Sequence, residues 1–263
     1  MPPENVLLLA ENISAGYEKL KILDDVSFTV GSGQLLALIG RNGAGKSTLF
    51  NVIAGITDKW EGRVVINQLD ITNRTSHFIY QHGISYMPQG GRIFNQLTVL
   101  ENLLFNVKGN TIRKQNIVAV IEKVIAQHAP VLWEHFRNRI LPRMNRNAGC
   151  LSGGERQAVS LIRTIINDSP VYFFDEPTSG LSLPVMTELQ KLLHEKSKAG
   201  CAIVFIEQKI NWSLSMCNKV MVMQRGRLVY TGEPDYLLNN ETVLSGLLGA
   251  VPENQPNNKI LHI

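Results

Sequence analysis

Short apolar runs recur along the chain, and glycine, proline or polar residues bound most of them. Runs of about four to eight apolar residues between such turn signals are typical of strands buried in a sheet. The pattern predicts strands at residues 6–10, 26–30, 35–39, 61–69, 84–88, 171–174 and 201–206, and a hairpin of strands 220–224 and 227–230. Residues 14–17 are predicted to lie between the first two strands.

Apolar residues at helical spacing separate several of these strands. A helix is predicted directly after residue 45, and residues 98 to about 148 look helical, with interruptions at Pro130 and Pro142. Further helices are predicted to begin after Ser152 and Ser182, because serine favours helix N-termini. Strands that alternate with helices predict an α/β fold with a mostly parallel core sheet.

The clearest chemical signal lies between the strand at residues 35–39 and the helix that follows it. The residues there fit the phosphate-binding pattern of Gly, four residues, Gly-Lys and then Ser or Thr. In such a loop, backbone N–H groups and the helix end face an anion, the lysine reaches the β- and γ-phosphates, and the serine ligates Mg²⁺. A glycine turn that merely contains lysine is the alternative, which the flanking strand and helix disfavour. The loop is Gly40-Arg41-Asn42-Gly43-Ala44-Gly45-Lys46-Ser47-Thr48.

Polar side chains follow two other predicted strands. Gln89 follows the strand at residues 84–88, at the end where α/β sheets place ligand groups. Asp175 and Glu176 follow the strand at residues 171–174. Asp175 is suited to holding Mg²⁺, and Glu176 is suited to polarising an attacking water. Two solvated acids at a strand end are the alternative, which the upstream phosphate loop disfavours.

Two further features are consistent with a bound nucleotide. Ser152 can cap the helix that follows it, and the two glycines beside it let an anion approach closely. A second phosphate site is therefore predicted, the alternative being a helix cap without a ligand. Tyr17, ahead of the phosphate loop, could stack on a purine base, although a tyrosine near a strand end is more often plain packing. The helix-capping segment is Leu151-Ser152-Gly153-Gly154-Glu155.

Composition adds few constraints. The chain has 263 residues, of which 44% are hydrophobic, as in ordinary globular proteins. No run of about 18 apolar residues predicts a membrane span. Three cysteines lack metal-site or CxxC spacing and are interpreted as reduced thiols of a cytosolic protein. A net charge of +4 and the arginines between residues 137 and 146 permit contact with nucleic acid or anionic lipid, but a solvated surface is the usual cause.

Together, these motifs resemble the ATP-binding subunit of an ABC transporter, over residues 6 to about 249. The resemblance implies one α/β ATPase domain at residues 1–250, with an antiparallel N-terminal sheet and a helical lobe at about 91–155. It also implies that Tyr17 stacks on adenine and that Gln89 links the nucleotide and Mg²⁺ to a membrane partner. Residues 151–155 would clamp the γ-phosphate of a nucleotide held by a second subunit. The polar end at residues 251–263 is predicted to be loose.

The function that the resemblance implies is binding and hydrolysis of Mg-ATP to drive a transporter. Lys46, Ser47 and the loop amides would hold the phosphates, Asp175 would hold Mg²⁺ and Glu176 would orient the water. Separate permease subunits, a second ATPase subunit and a peripheral place on the cytoplasmic face of the inner membrane are implied. A soluble ABC ATPase acting on DNA or ribosomes and a nucleotide-binding regulator are the alternatives. The chain lacks the coiled coils, zinc sites and tandem modules of the first, so no nucleic acid partner is expected.

A finer resemblance is to the importers of branched-chain amino acids and urea. It implies import of branched-chain or hydrophobic amino acids, urea or a related solute, by a heterodimer of ATPase subunits with an extracytoplasmic solute-binding protein. The residues that carry it are Met87-Pro88-Gln89-Gly90-Gly91-Arg92-Ile93-Phe94, Phe205-Ile206-Glu207-Gln208, and the ending at residues 240–249.

Two positions depart from the general superfamily pattern. Gln208 stands where that pattern has a histidine that contacts the γ-phosphate, and Ser182 stands where it has an aspartate. The importer branch often shows both departures, so they do not imply inactivity. The resemblance implies that Gln208 is a catalytic residue, which would stabilise the γ-phosphate less strongly than a histidine.

Overall fold

The strands form two sheets around the predicted phosphate loop. The computed structural model describes residues 5–105, 116–248 and 261–262. Its strands are β1 (Val6–Tyr17), β2 (Leu20–Gly31), β3 (Leu35–Ile39), β4 (Lys59–Ile66), β5 (Leu69–Asp70), β6 (Ile84–Met87), β7 (Val171–Asp175), β8 (Ala202–Ile206), β9 (Lys219–Gln224), β10 (Arg227–Gly232) and β11 (Leu261–His262). Its α-helices are α1 (Lys46–Ile53), α2 (Ser76–His82), α3 (Val99–Leu104), α4 (Ile117–Ile125), α5 (Pro130–His135), α6 (Gly153–Ile165), α7 (Leu183–Lys198), α8 (Ile210–Met216), α9 (Pro234–Leu238) and α10 (Glu241–Leu247).

The larger sheet has the strand order β11-β10-β9-β3-β8-β7-β6. The pairs from β9 through β3, β8 and β7 to β6 are parallel, and β10 runs antiparallel to β9. Ile206 is the partner of both Leu38 and Asp175, and Met87 is the partner of Phe174. This register places the ends of β3, β6, β7 and β8 along one edge, where α/β sheets bind their ligands. The predicted α/β fold with a mostly parallel core is confirmed.

The larger sheet separates two hydrophobic clusters, and alternate residues of its strands face opposite sides. Ala37 of β3 and Phe174 of β7 join the cluster that contains much of α6 and α7. Leu38 and Phe173 join the cluster that contains the apolar face of α1 and the inner face of the N-terminal sheet. The Phe50 ring of α1 stacks on Phe173 with a centroid distance of 4.5 Å, which fixes the phosphate-loop helix to β7.

The smaller sheet is antiparallel, in the order β2-β1-β4-β5. The prediction that residues 14–17 lie between two strands is wrong, because β1 continues to Tyr17, which pairs with Leu20. Irregularities in the register accompany a run of consecutive buried residues at 13–16. Bulges of this kind break the alternation of buried and exposed residues on which a sequence-based strand prediction depends.

The region predicted as helical at residues 98–148 is a series of short helices. Residues 106–115 of this prediction lie outside the described residues. Pro130 was expected to interrupt a helix but is the first residue of α5, where the missing N–H is not needed. The Glu188 carboxylate of α7 accepts 2.9 Å hydrogen bonds from the N–H groups of Val131 and Leu132, which caps α5 from another helix. Pro142 lies in a 3₁₀ turn (Leu141–Arg143) that follows a π-helical turn (Phe136–Ile140).

The segment at residues 251–263, predicted to be loose, lies mostly outside the described residues. Of residues 251–263, the structure describes the two residues of β11, which pair in parallel with Tyr230 and Thr231 of β10. In the ranges 5–105 and 116–248, no helix is long and apolar enough to cross a membrane.

Candidate nucleotide site

The phosphate-loop sequence joins the end of β3 to the first residue of α1. An added Cβ on Gly40 would lie 2.2 Å from a backbone oxygen of β9, so this position requires glycine. The Lys46 ammonium group donates hydrogen bonds to the carbonyl oxygens of Gly40 (2.7 Å) and Arg41 (2.9 Å). The Gly226 N–H, in the turn between β9 and β10, donates to the Ala44 carbonyl at 2.9 Å and ties the loop to that hairpin.

A cleft of about 340 Å³ opens beside this loop at the ligand-binding edge of the larger sheet. It brings part of the phosphate loop together with Gln89, Glu176 and Gln208, whereas Asp175 is not among its lining residues. It also includes Ile206, an apolar wall residue that sequence reasoning missed. Gly40, Arg41 and Ala44 belong to the loop but do not line the cleft. The lining residues are Asn42, Gly43, Gly45, Lys46, Ser47, Thr48, Gln89, Glu176, Ile206 and Gln208.

The charges of the cleft act on one another. Burial lowers the pKa of Lys46, and the nearby carboxylates of Asp175 and Glu176 oppose that shift. The lysine lies at the N-terminus of α1, where unpaired N–H groups and the helix dipole add positive potential. A phosphate group in this cleft would therefore meet a cation, a helix end and the N–H groups of the loop.

Asp175 lies at the end of β7 and is only 1% exposed. Burial raises the pKa of its carboxyl group, while the Ser47 hydroxyl and the Lys46 charge oppose that shift. The hydroxyl is close enough to affect this pKa, yet neither carboxylate oxygen has a hydrogen-bond partner of good geometry in the described structure. Buried polar atoms are normally paired, so this carboxylate has unused binding capacity.

A carboxylate beside a hydroxyl fits a magnesium ion that arrives with a nucleotide. Mg²⁺ binds few protein ligands and completes its shell with phosphate oxygens and water. In the described part of the chain, no cluster of three or more His, Cys, Asp or Glu side chains could hold a metal independently. Asp175 and Ser47 fit the ion, and Gln89 lines the same cleft.

Glu176 follows Asp175 and turns into the cleft. Its φ angle of +53° is unusual for a residue other than glycine, and such strain is often found at functional sites. The Gln208 side-chain amide donates a 2.6 Å hydrogen bond to the Glu176 carboxylate. The sequence predicted that both residues lie at this edge but not that they contact each other. This bond orients the carboxylate and partly satisfies its charge.

Two buried residues that sequence reasoning missed fix the backbone around Glu176. The Gln157 side chain on α6 donates hydrogen bonds to the carbonyl oxygens of Glu176 (3.0 Å) and Pro177 (3.1 Å). The Glu207 carboxylate, beside Gln208, accepts a 2.7 Å hydrogen bond from the buried N–H of Thr178. The sequence offered no signal for Gln157, whereas Glu207 adjoins a residue that it singled out.

Tyr17 lies at the end of β1 and is 49% exposed. The hydrogen bond of its hydroxyl with Thr57 lowers its pKa, and contacts with Thr48 and Asn51 act in the same direction. Thr48 also lines the cleft, so the tyrosine lies near the phosphate loop with part of its surface open. Tyr17 itself is not among the residues that line the cleft.

The segment at residues 151–155 does not line the cleft of its own chain. Ser152 and Glu155 form a reciprocal cap at the start of α6, as the sequence predicted for the serine. Arg143, one of the arginines predicted to be exposed, donates a 2.9 Å hydrogen bond to the Glu155 carboxylate. Ser152 and Gly153 are exposed, and an added Cβ on Gly153 would meet nothing within 4 Å. This helix start is therefore open to an approaching molecule.

Comparison with known proteins identifies the family. The family model described as ABC transporter matches residues 23–179. The lipopolysaccharide export system ATP-binding protein LptB of Haemophilus influenzae is 31% identical, over 92% of this chain and 97% of that protein. The high-affinity branched-chain amino acid transport ATP-binding protein BraG of Pseudomonas aeruginosa is 30% identical, over 92% of this chain and 100% of that protein.

Solved structures agree with this assignment. A nucleotide-free ATP-binding cassette from an ABC transporter is 28% identical, with a TM-score of 0.72 over 94% of this chain and 100% of that one. The match therefore includes both sheets and the candidate cleft, not the phosphate loop alone. This chain belongs to the ABC transporter family, as an ATP-binding subunit that hydrolyses ATP to power transport.

Proposed function

We propose that the cleft binds Mg-ATP and that Glu176 activates the attacking water. Lys46 and the loop N–H groups hold the β- and γ-phosphates, while Asp175 and Ser47 hold the metal ion, with Gln89 at the same edge. When bound there, the ion would supply positive charge that offsets the charge of the phosphates. Glu176 accepts a proton as the water oxygen bonds to the γ-phosphorus, and the bond to the β–γ bridging oxygen breaks. The observation that carries this proposal is the Glu176 carboxylate, held at 2.6 Å by Gln208 in the cleft that also contains Lys46.

Tyr17 is assigned as the residue on which the base of the nucleotide stacks. Tyr17 is half exposed and its hydroxyl group contacts residues of the phosphate-loop helix, so a nucleotide with its phosphates on Lys46 would place its base on this side. Aromatic stacking is tolerant of the base, because every base has a π-face. Tyr17→Ala should therefore weaken the binding of ATP and of GTP to the same extent.

A second ATPase subunit completes the site. Ser152 and Gly153 are exposed at the start of α6, and residues 151–155 do not line the cleft of their own chain, so we assign this segment to the γ-phosphate held by the partner. Helix N-termini bind anions through free N–H groups, and α6 presents them beside two glycines. Two subunits would then hold ATP between them, head to tail.

This arrangement predicts dimerisation that depends on ATP. A chain with Glu176→Gln should dimerise on addition of ATP, alone or with a sister subunit, because ATP persists at the interface. Adding Gly153→Asp should abolish the dimer, because its carboxylate would face the γ-phosphate. The aspartate has space within its own chain and is favourable at a helix start, so the fold should be preserved. Light scattering with and without ATP measures the mass. A dimer that persists with Gly153→Asp would contradict the assignment of α6.

We further infer that the natural assembly is a heterodimer whose sister subunit carries histidine in place of Gln208. A protonated histidine adds charge near the γ-phosphate, whereas glutamine donates a neutral hydrogen bond, and charge-assisted bonds are about twice as strong. Gln208→His should leave turnover unchanged or raise it by up to about tenfold. Single-site turnover, with each catalytic glutamate disabled in turn, measures this. Equal rates at the two sites, or a fully active homodimer of this chain, would contradict the asymmetry.

Separate permease subunits are the partners of ABC ATP-binding subunits, and we assign their contact to a groove of about 450 Å³. Phe94 and Phe105 border this groove with 46% and 59% of their surfaces exposed, and Ile56 is exposed by 59%. Exposed apolar clusters of this kind mark interaction sites. Phe94 follows Gln89 and the Gly90-Gly91 pair closely, so the segment that leaves the nucleotide cleft ends in this groove. The assembly would place this subunit on the cytoplasmic face of the inner membrane.

We propose import of branched-chain or hydrophobic amino acids, urea or a related solute, with an extracytoplasmic binding protein. The motif that includes residues 87–94 supports import, as does the similarity to BraG, while the similarity to LptB favours lipopolysaccharide export as the second candidate. Vesicles that contain both ATPase subunits and their permeases would be loaded with ATP. Uptake of labelled leucine or urea, with the binding protein outside, supports import. ATP-dependent release of lipopolysaccharide without such uptake supports export.

A further inference from the structure

A buried carboxylate links α7 to the helical lobe. Glu188 lies on α7 and is only 7% exposed. Its two carboxylate oxygens each accept a 2.9 Å hydrogen bond, one from the N–H of Val131 and the other from the N–H of Leu132. Among the described residues, Glu188 takes part in no ion pair. Because a buried charge without a cation is costly unless hydrogen bonds compensate it, this carboxylate depends on the start of α5.

The start of α5 has no cap of its own. Ala129 precedes the helix and has no side-chain acceptor, and Pro130 has no N–H. The first N–H groups of α5 are therefore those of Val131 and Leu132, and the acceptor that they share lies 57 and 56 positions away in the chain. Helix starts are usually capped by a residue adjacent in sequence. Here the cap is instead a link between two separate elements.

One end of this link reaches the helix start that we assign to the partner's γ-phosphate. After α5, the backbone stays helical through the π-helical turn and the 3₁₀ turn as far as Arg143. Arg143 donates a 2.9 Å hydrogen bond to the Glu155 carboxylate, whose other oxygen accepts a 2.8 Å bond from the Ser152 N–H. A continuous helical segment thus runs from the Glu188 cap to the start of α6. Its π-helical turn is of a kind often found at functional sites.

The other end of the link reaches Glu176. The segment between Glu176 and α7 is short and tightly turned, and its Ser179 N–H donates a 3.2 Å hydrogen bond to the Glu176 carbonyl oxygen. Gly180 of this segment lies against the start of α6, since an added Cβ on Gly154 would lie 3.1 Å from the Gly180 carbonyl oxygen. A shift of the lobe against α7 would therefore alter the contact between the start of α6 and the segment that follows Glu176.

We propose that Glu188 is a positioning residue, which holds the helical lobe against α7 so that Ser152 and Glu176 keep a fixed relation within one subunit. This inference rests on the proposed function, in which Glu176 acts on its own subunit's nucleotide and Ser152 on the partner's. Both groups must be in place for two subunits to close around ATP. Glu188 contacts neither nucleotide, so loosening its link weakens the closed dimer and leaves ATP binding to a single subunit intact.

The test measures the ATP-dependent dimer of the Glu176→Gln chain, alone or with its sister subunit. Adding Glu188→Gln should raise the Kd of this dimer about tenfold, because the amide accepts only one of the two hydrogen bonds and its nitrogen faces the second N–H. The ATP affinity of the monomer should not change, since Glu188 does not line the cleft.

A second variant separates the position of the lobe from the charge at its cap. Glu188→Asp keeps a carboxylate at the start of α5, but its side chain is one carbon shorter. It can bond both N–H groups only if α5 shifts towards α7, so the dimer Kd should rise here too. This variant decides the matter if Glu188→Gln does not fold, because an unchanged Kd would overturn the proposal.

Two controls exclude a general loss of stability. Glu195→Gln makes the same chemical change on α7, at a carboxylate that pairs with Lys198, and should leave the Kd unchanged. Ile121→Val removes a buried carbon from α4 of the same lobe, so it should lower the melting temperature without altering the Kd. If Ile121→Val weakens the dimer as much as Glu188→Gln for the same loss of melting temperature, only the stability of the lobe matters and the proposal is overturned.

Another arm leaves Glu188 intact and breaks the link at its other end. Arg143→Gln removes the ion pair with Glu155 and should also raise the dimer Kd. Combining it with Glu188→Gln should add little, because both changes interrupt the same path. Fully additive effects would show that the two residues act independently and would overturn the link.

The outcomes distinguish this inference from the proposed function. If the Glu176→Gln chain does not dimerise with ATP and any sister subunit, or if its dimer persists with Gly153→Asp, the assignment of α6 fails. If the dimer forms and is lost with Gly153→Asp, yet neither Glu188→Gln nor Glu188→Asp changes its Kd, the assignment of α6 stands and the role of Glu188 is overturned. Weaker ATP binding by the Glu188→Gln monomer would also overturn it, because the effect would then lie in the cleft.

Discussion

Replacing Glu176 by Gln is expected to slow ATP hydrolysis about 10²–10⁴-fold while ATP binding is retained. The glutamine side chain has the same shape, and its carbonyl oxygen can still accept the hydrogen bond that Gln208 donates at 2.6 Å. What disappears is a carboxylate that can take a proton from water. Phosphate release and equilibrium binding of labelled ATP, measured on the assembled subunits, distinguish these two effects.

The matched control is Glu195→Gln, which makes the same chemical change at an exposed carboxylate on α7, paired with Lys198. This variant should hydrolyse ATP at the wild-type rate. Phosphate release by Glu176→Gln that equals the control would remove Glu176 from the mechanism. Loss of ATP binding in Glu176→Gln would instead show that its charge helps to hold the nucleotide.

Most of the cleft could be predicted from sequence because it lies at the ends of parallel strands. Such strands are buried on both faces and appear as uninterrupted apolar runs, so their ends are visible in the sequence. Gln89, Glu176 and Gln208 each follow such a run, and the register brings all three to one edge. The phosphate loop was visible for a further reason, since its spacing follows directly from its chemistry.

The contacts within the cleft could not be predicted in the same way. The bond between Gln208 and Glu176 joins side chains 32 positions apart, and the Gln157 bonds reach across 19 and 20 positions. No periodicity in a single sequence specifies which polar groups meet across such separations. The end of β1 was missed for a different reason, because bulges removed the alternation that marks a half-buried strand.

One helix joins several of the inferred roles. The start of α6 presents Ser152 and Gly153, and its second turn holds the backbone of Glu176 through Gln157. Arg163, near its end, lines the groove that we assign to the permease. An α-helix of 13 residues is about 20 Å long, so α6 spans these positions as one continuous element. Gly91 packs against Gln157, with room for no Cβ, so the segment after Gln89 also contacts this helix. If both assignments hold, permease docking and nucleotide clamping are linked through a single helix.

Replacing Asp175 by Asn should remove the effect of magnesium on ATP binding and hydrolysis without unfolding the chain. The buried carboxylate of Asp175 has no hydrogen-bond partner of good geometry among the described residues, so losing its charge should not lower the melting temperature of the nucleotide-free protein. ATP hydrolysis should fall by about 10²-fold or more, because metal stabilisation of the phosphates contributes several kcal/mol. The exposed residue Asp168 provides the matched control, Asp168→Asn, which should behave as the wild type.

Thermal stability supplies a readout for Asp175 that does not depend on turnover. A ligand at about 100 times its Kd adds about 2.7 kcal/mol, which raises the melting temperature of a domain of this size by about 5–10 °C. The melting temperature of the wild type should rise by this amount with a non-hydrolysable ATP analogue and Mg²⁺. The rise should be smaller when EDTA removes the metal. Asp175→Asn should show the smaller gain in both conditions, because it lacks the ligand that the metal requires. A full magnesium-dependent gain in the variant would assign the ion to other residues and leave the buried carboxylate without a role.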